Sequence, residues 1–62
     1  MQPGRRIAFD YGDVRIGVAI SDRDSILAVP LTTLQSGDAK LFTRIAELLT
    51  EYEPVQIFVG DR

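Results

Sequence analysis

The sequence predicts an α/β fold, in which a three-stranded antiparallel meander is followed by a crossover helix and a fourth strand parallel to the first. Three observations predict this order. Short segments rich in strand-forming residues come first, helical periodicity begins after the Ser36–Asp38 loop, and an apolar segment follows Pro54. A helix that connects two strands carries the chain back across the sheet, so the strands on either side of it run parallel.

The three strands of the meander are predicted from local pattern. Arg6–Tyr11 is rich in strand formers and is closed by the turn residue Gly12. Arg15–Ser21 alternates β-branched with small side chains, which indicates one buried face and a hairpin with the first strand. The third strand is predicted over Ile26–Thr32, and Pro30 places it at a sheet edge because proline cannot donate a ladder hydrogen bond.

The helix and the fourth strand complete the predicted order. Asp38 is predicted to cap the helix N-terminus, and Pro54 to end the helix. Apolar residues recur at helical spacing and are predicted to face the core: Leu41, Phe42, Ile45, Leu48, Leu49 and Tyr52. The following segment, Val55–Val59, is predicted to be a buried strand that ends at Gly60.

The predicted core is incomplete. A chain of 62 residues buries only about 60% of its unfolded surface, and one helix covers only one face of an apolar sheet. We therefore expect residues 1–62 to be the N-terminal part of a single domain. The alternative is that the chain needs a partner, either a second copy or the missing second half of the domain.

Composition excludes several classes of chemistry and of location. The chain has no Cys and no His, so zinc sites and Cys or His nucleophile systems are excluded, and carboxylates, hydroxyls and arginines remain. The net charge of −2 lies entirely in residues 32–62, because residues 1–31 sum to zero. This balance argues neither for nor against a polyanionic ligand. The sequence contains no signal-peptide core and no membrane-spanning run, so the expected location is cytoplasmic, without membrane contact.

Asp10 is the candidate functional residue, because it interrupts an otherwise apolar strand. An unpaired carboxylate is costly to bury and is usually retained for a reason, which favours a ligand or catalytic role. The alternative is that Asp10 only caps the hairpin turn. The two glycines nearby also have structural explanations. Gly12 can supply a turn position with positive φ, and Gly17 can relieve packing between strands.

Three segments together resemble the N-terminal half of the YqgF/RuvX family. They read I-A-F-D-Y-G-D-V-R-I-G-V-A-I-S-D from Ile7, I-L-A-V-P-L-T-T-L from Ile26, and V-Q-I-F-V-G from Val55. The family comprises RNase H-like proteins described as Holliday junction resolvases and as pre-16S rRNA processing nucleases. The resemblance runs from about Arg6 to Gly60, and the combination of motifs is more specific than Asp-x-Gly alone.

The resemblance implies an RNase H-like fold and a metal-dependent nuclease. The expected hydrolase cleaves phosphodiesters in pre-16S rRNA 5′ end processing, a step of ribosome biogenesis, or in branched DNA such as Holliday junctions. Asp10 matches the first catalytic acid of the family, which holds Mg²⁺ or Mn²⁺. The remaining acids of the family fall in its second half, so we expect the chain alone to be inactive. Asp61 is a possible further metal ligand, and the alternative for it is an exposed acid near a chain end.

Three arginines are candidates for nucleic-acid contacts. Arg15 follows the turn beside Asp10 and could touch a phosphate, or pair with a neighbouring Asp. Arg5 and Arg6 could extend that surface, or form a solvated pair.

Two other functions stay open at this point. The first is a nucleotide-binding module of the actin and sugar-kinase type, whose phosphate loop also reads Asp-x-Gly. Those loops usually place Thr or Ser after the Gly, whereas Asp13 stands there in this chain and would repel an anion. The second is a non-catalytic fragment that binds nucleic acid or protein.

Overall fold

The fold is a four-stranded mixed sheet with one helix against it. The computed structural model describes residues 4–22 and 27–61. The elements are β1 Arg6–Tyr11, β2 Arg15–Ser21, β3 Ala28–Gln35, α1 Leu41–Tyr52 and β4 Gln56–Asp61. The strand order is β3-β2-β1-β4, with β1 antiparallel to β2 and parallel to β4. This is the predicted architecture, and the fold class is therefore confirmed.

The core lies on one face of the sheet. The face on which α1 packs, here called the helix face, carries the core cluster of Ile7, Phe9, Ile16, Val18 and Leu34. Because successive strand residues alternate between faces, the opposite surface, here called the open face, carries the other set. Its strand residues include Arg6, Ala8, Asp10, Arg15, Gly17, Ala19, Thr33, Phe58 and Gly60. In the described part of the chain, the one helix packs on the helix face.

β3 lies at a sheet edge, as Pro30 predicts, but its bounds differ from the prediction. The strand continues three residues past Thr32, to Gln35, and Ile26 lies outside the described residues. A register irregularity between Val18 and Ala19 makes Thr32 and Pro30 their respective partners, so one residue of β3 is bulged at this point. The longer strand brings Leu34 opposite Ile16 in the core.

The start of α1 corrects the predicted cap. Lys40, not Asp38, occupies the N-cap position, and it makes no side-chain cap hydrogen bond. Asp38 lies two residues before the N-cap. Its Oδ1 accepts a hydrogen bond from the Lys40 backbone N–H at 2.9 Å, and its Oδ2 accepts one from Arg44 Nε at 2.6 Å. The short carboxylate of Asp38 reaches the amide two residues on, which organises the turn before the helix.

These contacts make a pH-dependent contribution to stability. The hydrogen bond from the Lys40 amide, followed by that from Arg44, lowers the pKa of the Asp38 carboxyl. Because the folded pKa is lowered, the stabilisation is present above the usual Asp pKa of about 3.9 and is lost as pH falls through the folded value. We expect Asp38→Ala to lower the melting temperature slightly at pH 7, with the difference from the unmodified chain disappearing in acid.

Thermal melts followed by circular dichroism at a series of pH values would measure this effect. Arg44→Gln is the matched control, since it removes the ion pair but keeps the hydrogen bond to the Lys40 amide. Its effect should be smaller than that of Asp38→Ala. If Asp38→Ala lowered the melting temperature in acid by as much as at pH 7, the pH-dependent stabilisation would not come from the Asp38 carboxylate.

The helix packs less completely than its pattern predicts. Leu41, Ile45, Leu48 and Leu49 are partly buried against the core cluster, and no residue of α1 is fully buried. Phe42, which was predicted to face the core, is 83% exposed. The apolar pattern is wider than the strip of helix surface that one sheet face can cover. No helix in the described part of the chain is long and apolar enough to cross a membrane.

The end of α1 agrees with the prediction. The helix stops at Tyr52, and Glu53 takes a left-handed conformation with φ of 46° before Pro54. The Glu53 backbone N–H donates to the Leu49 carbonyl at 3.0 Å, which satisfies one of the last helix carbonyls.

The prediction that Val55–Val59 is a buried strand is wrong about burial. β4 pairs with β1 in parallel register, from Arg6 with Gln56 to Tyr11 with Asp61. Its apolar side chains nevertheless stay exposed, with Ile57 at 48%. β4 has one neighbouring strand and lies at the sheet edge opposite β3 among the described residues, so its outer side lacks a packing partner.

Candidate functional site

Asp10 lies in the middle of the open face, in a row of small neighbours. In register, Gly60 of β4 lies on one side of it and Gly17 of β2 on the other, and Thr33 of β3 follows Gly17. A Cβ atom added at Gly60 would meet nothing within 4 Å, and one at Gly17 would meet only the Asp10 Cβ, at 3.9 Å. The Asp10 carboxylate is exposed. The burial cost expected for an acid in an apolar strand therefore does not arise, because Asp10 lies on the solvent side of the strand.

Asp10 borders an open depression of about 520 Å³ at the end of the β1–β2 hairpin. It is lined by residues of the first two strands, the loop between them, and β3: Asp10, Gly12, Asp13, Val14, Arg15, Gly17 and Thr33. Two acidic residues and one arginine therefore line the same concave surface. This combination can hold a divalent cation through oxygen ligands and contact a phosphate through the arginine.

Backbone hydrogen bonds hold the loop that forms the rim of this depression. The Gly12 N–H donates to the Arg15 carbonyl at 2.8 Å. Ser36, after β3, donates from its backbone N–H to the Val14 carbonyl at 2.9 Å, and from its hydroxyl to the same oxygen at 3.0 Å. The loop is thus tied to two neighbouring segments. Gly12 does not need a positive φ there; among the described glycines, Gly4 is the one with a positive φ, at 144°.

The structure separates the three candidate arginines. Arg15 lies on the open face, two residues from Gly17, and so about 7 Å along the strand from the row of Asp10. Arg6 also belongs to the open face, and its side chain donates to Gln56 Oε1 at 3.3 Å and to the Gly4 carbonyl at 3.1 Å. Arg5 lies elsewhere, with its guanidinium 5.7 Å from the centre of the Tyr52 ring on the helix.

The second candidate acid, Asp61, is described only in its backbone. The register places it beside Tyr11, one position beyond Gly60 and the row of Asp10. Its side chain lies outside the described part of the chain.

The acidic residues at the depression are suitable ligands for a hard cation, but they do not form a complete metal site. Asp10 and Asp13 supply oxygen ligands of the kind that Mg²⁺ and Mn²⁺ prefer. Within residues 4–22 and 27–61, however, no three acidic side chains converge. The described residues therefore fit part of a metal site, and further ligands are needed to complete it.

The depression includes residues that sequence reasoning did not select. The sequence pattern gives Thr33 no role, and it indicates Asp13 only as a residue that repels anions or pairs with Arg15. Thr33 reaches the site because β3 continues past Thr32 and pairs with Gly17. Ser36 secures the rim from 22 residues away in sequence. No local pattern signals these placements, because they depend on the register between strands.

Comparison with known proteins identifies relatives over nearly the whole length of the chain. The family described as "RuvX: Holliday junction resolvase" matches residues 4–61. The "Putative pre-16S rRNA nuclease" of Cutibacterium acnes is 51% identical over 57 residues, covering 92% of this chain and 35% of that protein. The protein of the same name from Streptomyces coelicolor is 48% identical over 61 residues, covering 97% of this chain and 36% of that protein.

The chain thus spans about a third of the length of the curated relatives that it matches. The match nevertheless includes every described strand, the helix and the whole depression around Asp10. By this match, the chain belongs to the RuvX family.

Proposed function

We propose that this chain supplies Asp10 to the active site of a metal-dependent nuclease that hydrolyses phosphodiester bonds. The observation that carries the proposal is the position of Asp10, an exposed carboxylate between two glycines, in a depression shared with Arg15. The glycines leave room for an ion and a phosphate to approach the carboxylate. The family match supports a nuclease over a nucleotide-binding module or a non-catalytic fragment.

Asp10 and Asp13 would hold the cation, Mg²⁺ or Mn²⁺, on the rim of the depression. When bound, such an ion activates water and stabilises the leaving oxygen at a phosphodiester. Arg15 would orient the substrate by donating to a phosphate oxygen. Among the described residues Arg15 makes no ion pair, so its guanidinium is available for that contact.

The remaining ligands are proposed to come from the part of the protein that the relatives have beyond this match. The relatives are about three times as long as the matched region. We propose that a later segment places its acids over the open face, next to Asp10, and completes the domain. Activity is then a property of the longer protein, and the 62-residue chain alone is inactive.

The proposed substrate is nucleic acid in the cytoplasm, and the names of the family and of the relatives favour two substrates. The relatives are named for pre-16S rRNA, and the family for Holliday junctions. We propose cleavage at the 5′ end of pre-16S rRNA as the reaction, with a four-way DNA junction as the comparison substrate in the same assay.

Metal binding provides a test that does not depend on cleavage. The protein for this test is a chimera of the chain with the remaining two thirds of the Cutibacterium acnes relative. In the metal-free chimera, Asp10→Asn should leave the melting temperature level or raise it, because it relieves repulsion between neighbouring carboxylates. The rise in melting temperature on adding Mn²⁺ should fall sharply, because a ligand has been removed.

Glu47→Gln is the matched control, since it also removes one negative charge, from an exposed position on α1. Its response to Mn²⁺ should equal that of the unmodified chimera. If Asp10 is only a turn cap, Asn will replace it with little loss. An unchanged response to Mn²⁺ in Asp10→Asn would therefore reject the metal-ligand role.

A further inference from the structure

The hydroxyl of Ser36 contacts the loop that connects β1 and β2. Its Oγ lies within hydrogen-bond distance of two backbone carbonyl oxygens of that loop, 3.0 Å from that of Val14 and 3.3 Å from that of Asp13. A hydroxyl has one proton to donate, so the two carbonyls share it. One side chain from the segment after β3 therefore holds two consecutive peptide groups of the loop.

These two peptide groups connect the residues assigned to the cation and to the phosphate. The first joins Asp13 to Val14, and the second joins Val14 to Arg15. Asp13 and Arg15 both line the depression beside Asp10. A peptide group is planar and rigid, so a restraint on its carbonyl oxygen limits rotation of the backbone on either side. The Ser36 hydroxyl thus restricts the directions in which the Asp13 and Arg15 side chains leave the backbone.

Pairing of the strands does not need this hydroxyl. Arg15 pairs with Gln35 in the ladder between β2 and β3, and the Ser36 backbone N–H donates to the Val14 carbonyl at 2.9 Å. That backbone bond continues the ladder by one residue and remains when the side chain is shortened to a methyl group. The hydroxyl extends the contact to the Asp13 carbonyl. All of these groups belong to this chain, so the contact does not depend on what covers the open face.

We propose that Ser36 is a positioning residue of the metal site, whose hydroxyl holds the loop so that the Asp13 carboxylate stays directed at the cation. This inference rests on the proposed function, and it adds a residue 23 positions from Asp13 in sequence. A group that orients a metal ligand changes the affinity for the metal without contacting the metal. Loss of the Ser36 hydroxyl therefore weakens binding of the cation while the sheet stays paired.

The test measures the Kd for Mn²⁺ of the chimera defined above, from the electron paramagnetic resonance signal of free Mn²⁺. Nucleic acid is absent, so cleavage does not enter the measurement. Ser36→Ala should raise the Kd by about three- to tenfold, the effect of losing one hydrogen bond. Ser36→Thr keeps the hydroxyl and should bind Mn²⁺ as tightly as the unmodified chimera. Circular dichroism of each variant checks that the fold is retained.

Ser21→Ala is the matched control, because the Ser21 hydroxyl also contacts backbone groups. It accepts a hydrogen bond from the Arg6 N–H at 2.9 Å and donates to the Asp22 carbonyl at 3.2 Å. Ser21 lies at the end of β2 opposite the hairpin loop. Ser21→Ala should lower the metal-free melting temperature about as much as Ser36→Ala, and leave the Kd for Mn²⁺ unchanged. An equal rise of the Kd in both variants would assign the effect to general loss of stability and overturn the proposal.

A double-mutant cycle with Asp13 tests whether Ser36 acts through that carboxylate. Asp13→Asn should raise the Kd for Mn²⁺, while Asp10 and the later acids keep binding measurable. In this background Ser36→Ala should change the Kd by less than about twofold, because the carboxylate to be positioned is gone. The same factor in both backgrounds overturns the proposal. An unchanged Kd in the Ser36→Ala single variant, or an equal loss in Ser36→Thr, overturns it as well.

Failure of this inference is distinguishable from failure of the proposed function. If Asp10→Asn weakens Mn²⁺ binding and Ser36→Ala does not, the metal site is retained and the positioning role of Ser36 is rejected. If Asp10→Asn leaves Mn²⁺ binding unchanged, the proposed metal site is rejected, and this inference with it.

Discussion

Asp10→Asn in the full-length chimera is expected to lower cleavage of pre-16S rRNA by about 10³-fold or more. A bound cation contributes several kcal/mol to stabilisation of the transition state, and each 1.36 kcal/mol corresponds to about tenfold in rate. Asn keeps the size of the side chain but removes its charge, so the loss reports the carboxylate and not the packing. Single-turnover cleavage of end-labelled RNA in Mg²⁺ and in Mn²⁺ gives the rate.

Two further proteins make this result specific. Glu47→Gln on α1 removes the same charge away from the depression and should retain full activity. The 62-residue chain alone should show no appreciable turnover, because its described residues bring no three acids together. Robust cleavage by the isolated chain that disappears in Asp10→Asn would contradict the proposed need for a later segment. Full activity of Asp10→Asn in the chimera would contradict the catalytic role itself.

The second large effect is expected in the core. Ile7→Ala should destabilise the isolated chain by about 2–5 kcal/mol, because it deletes buried methyl groups and leaves a cavity. Ile7 is 0% exposed and belongs to the core cluster. A domain of this size is stabilised by only about 3–9 kcal/mol, so one such substitution removes much of the total. Urea denaturation followed by circular dichroism measures the change.

Ile57→Ala is the matched control for this prediction. Ile57 lies beside Ile7 in register, on the same face, and loses the same atoms, but it is 48% exposed. It should cost about 1 kcal/mol or less, since little apolar surface returns to water. Equal effects at the two positions would show that β4 is packed on its outer side, by another copy or another segment. The comparison therefore also tests whether the edge of the sheet is free in solution.

Local sequence pattern was sufficient for most of the secondary structure. The bounds of β1 and β2 follow from strand propensity and from the turn at Gly12, and both agree with the structure. The parallel arrangement of β1 and β4 follows from the intervening helix and is also observed. The end of α1 follows from Pro54, which disfavours a helical conformation in the residue before it. These features depend on neighbours in the chain, so the sequence alone predicts them.

Pattern was less informative about caps and strand lengths. The prediction that Asp38 is the helix N-cap is wrong, because Lys40 holds that position and the Asp38 carboxylate accepts a hydrogen bond from the Lys40 amide. β3 was predicted too short, because its extension to Gln35 results from pairing with β2 up to Arg15. Pairing energy over a long strand outweighs weak local preferences. The sequence alone identified Asp10 as the candidate catalytic acid, and this catalytic role stays a prediction.

The sequence by itself determined the order of the elements, the membership of the family and the identity of the acidic residue at the hairpin. Only the tertiary structure decided which side chains are covered. Phe42 and Ile57 have the composition of core residues and are exposed, while Thr33 and Asp13 join Asp10 at the depression across strand and loop. Burial depends on how many elements pack against a surface, and a site depends on register between distant segments. Neither is a property of a local stretch of sequence.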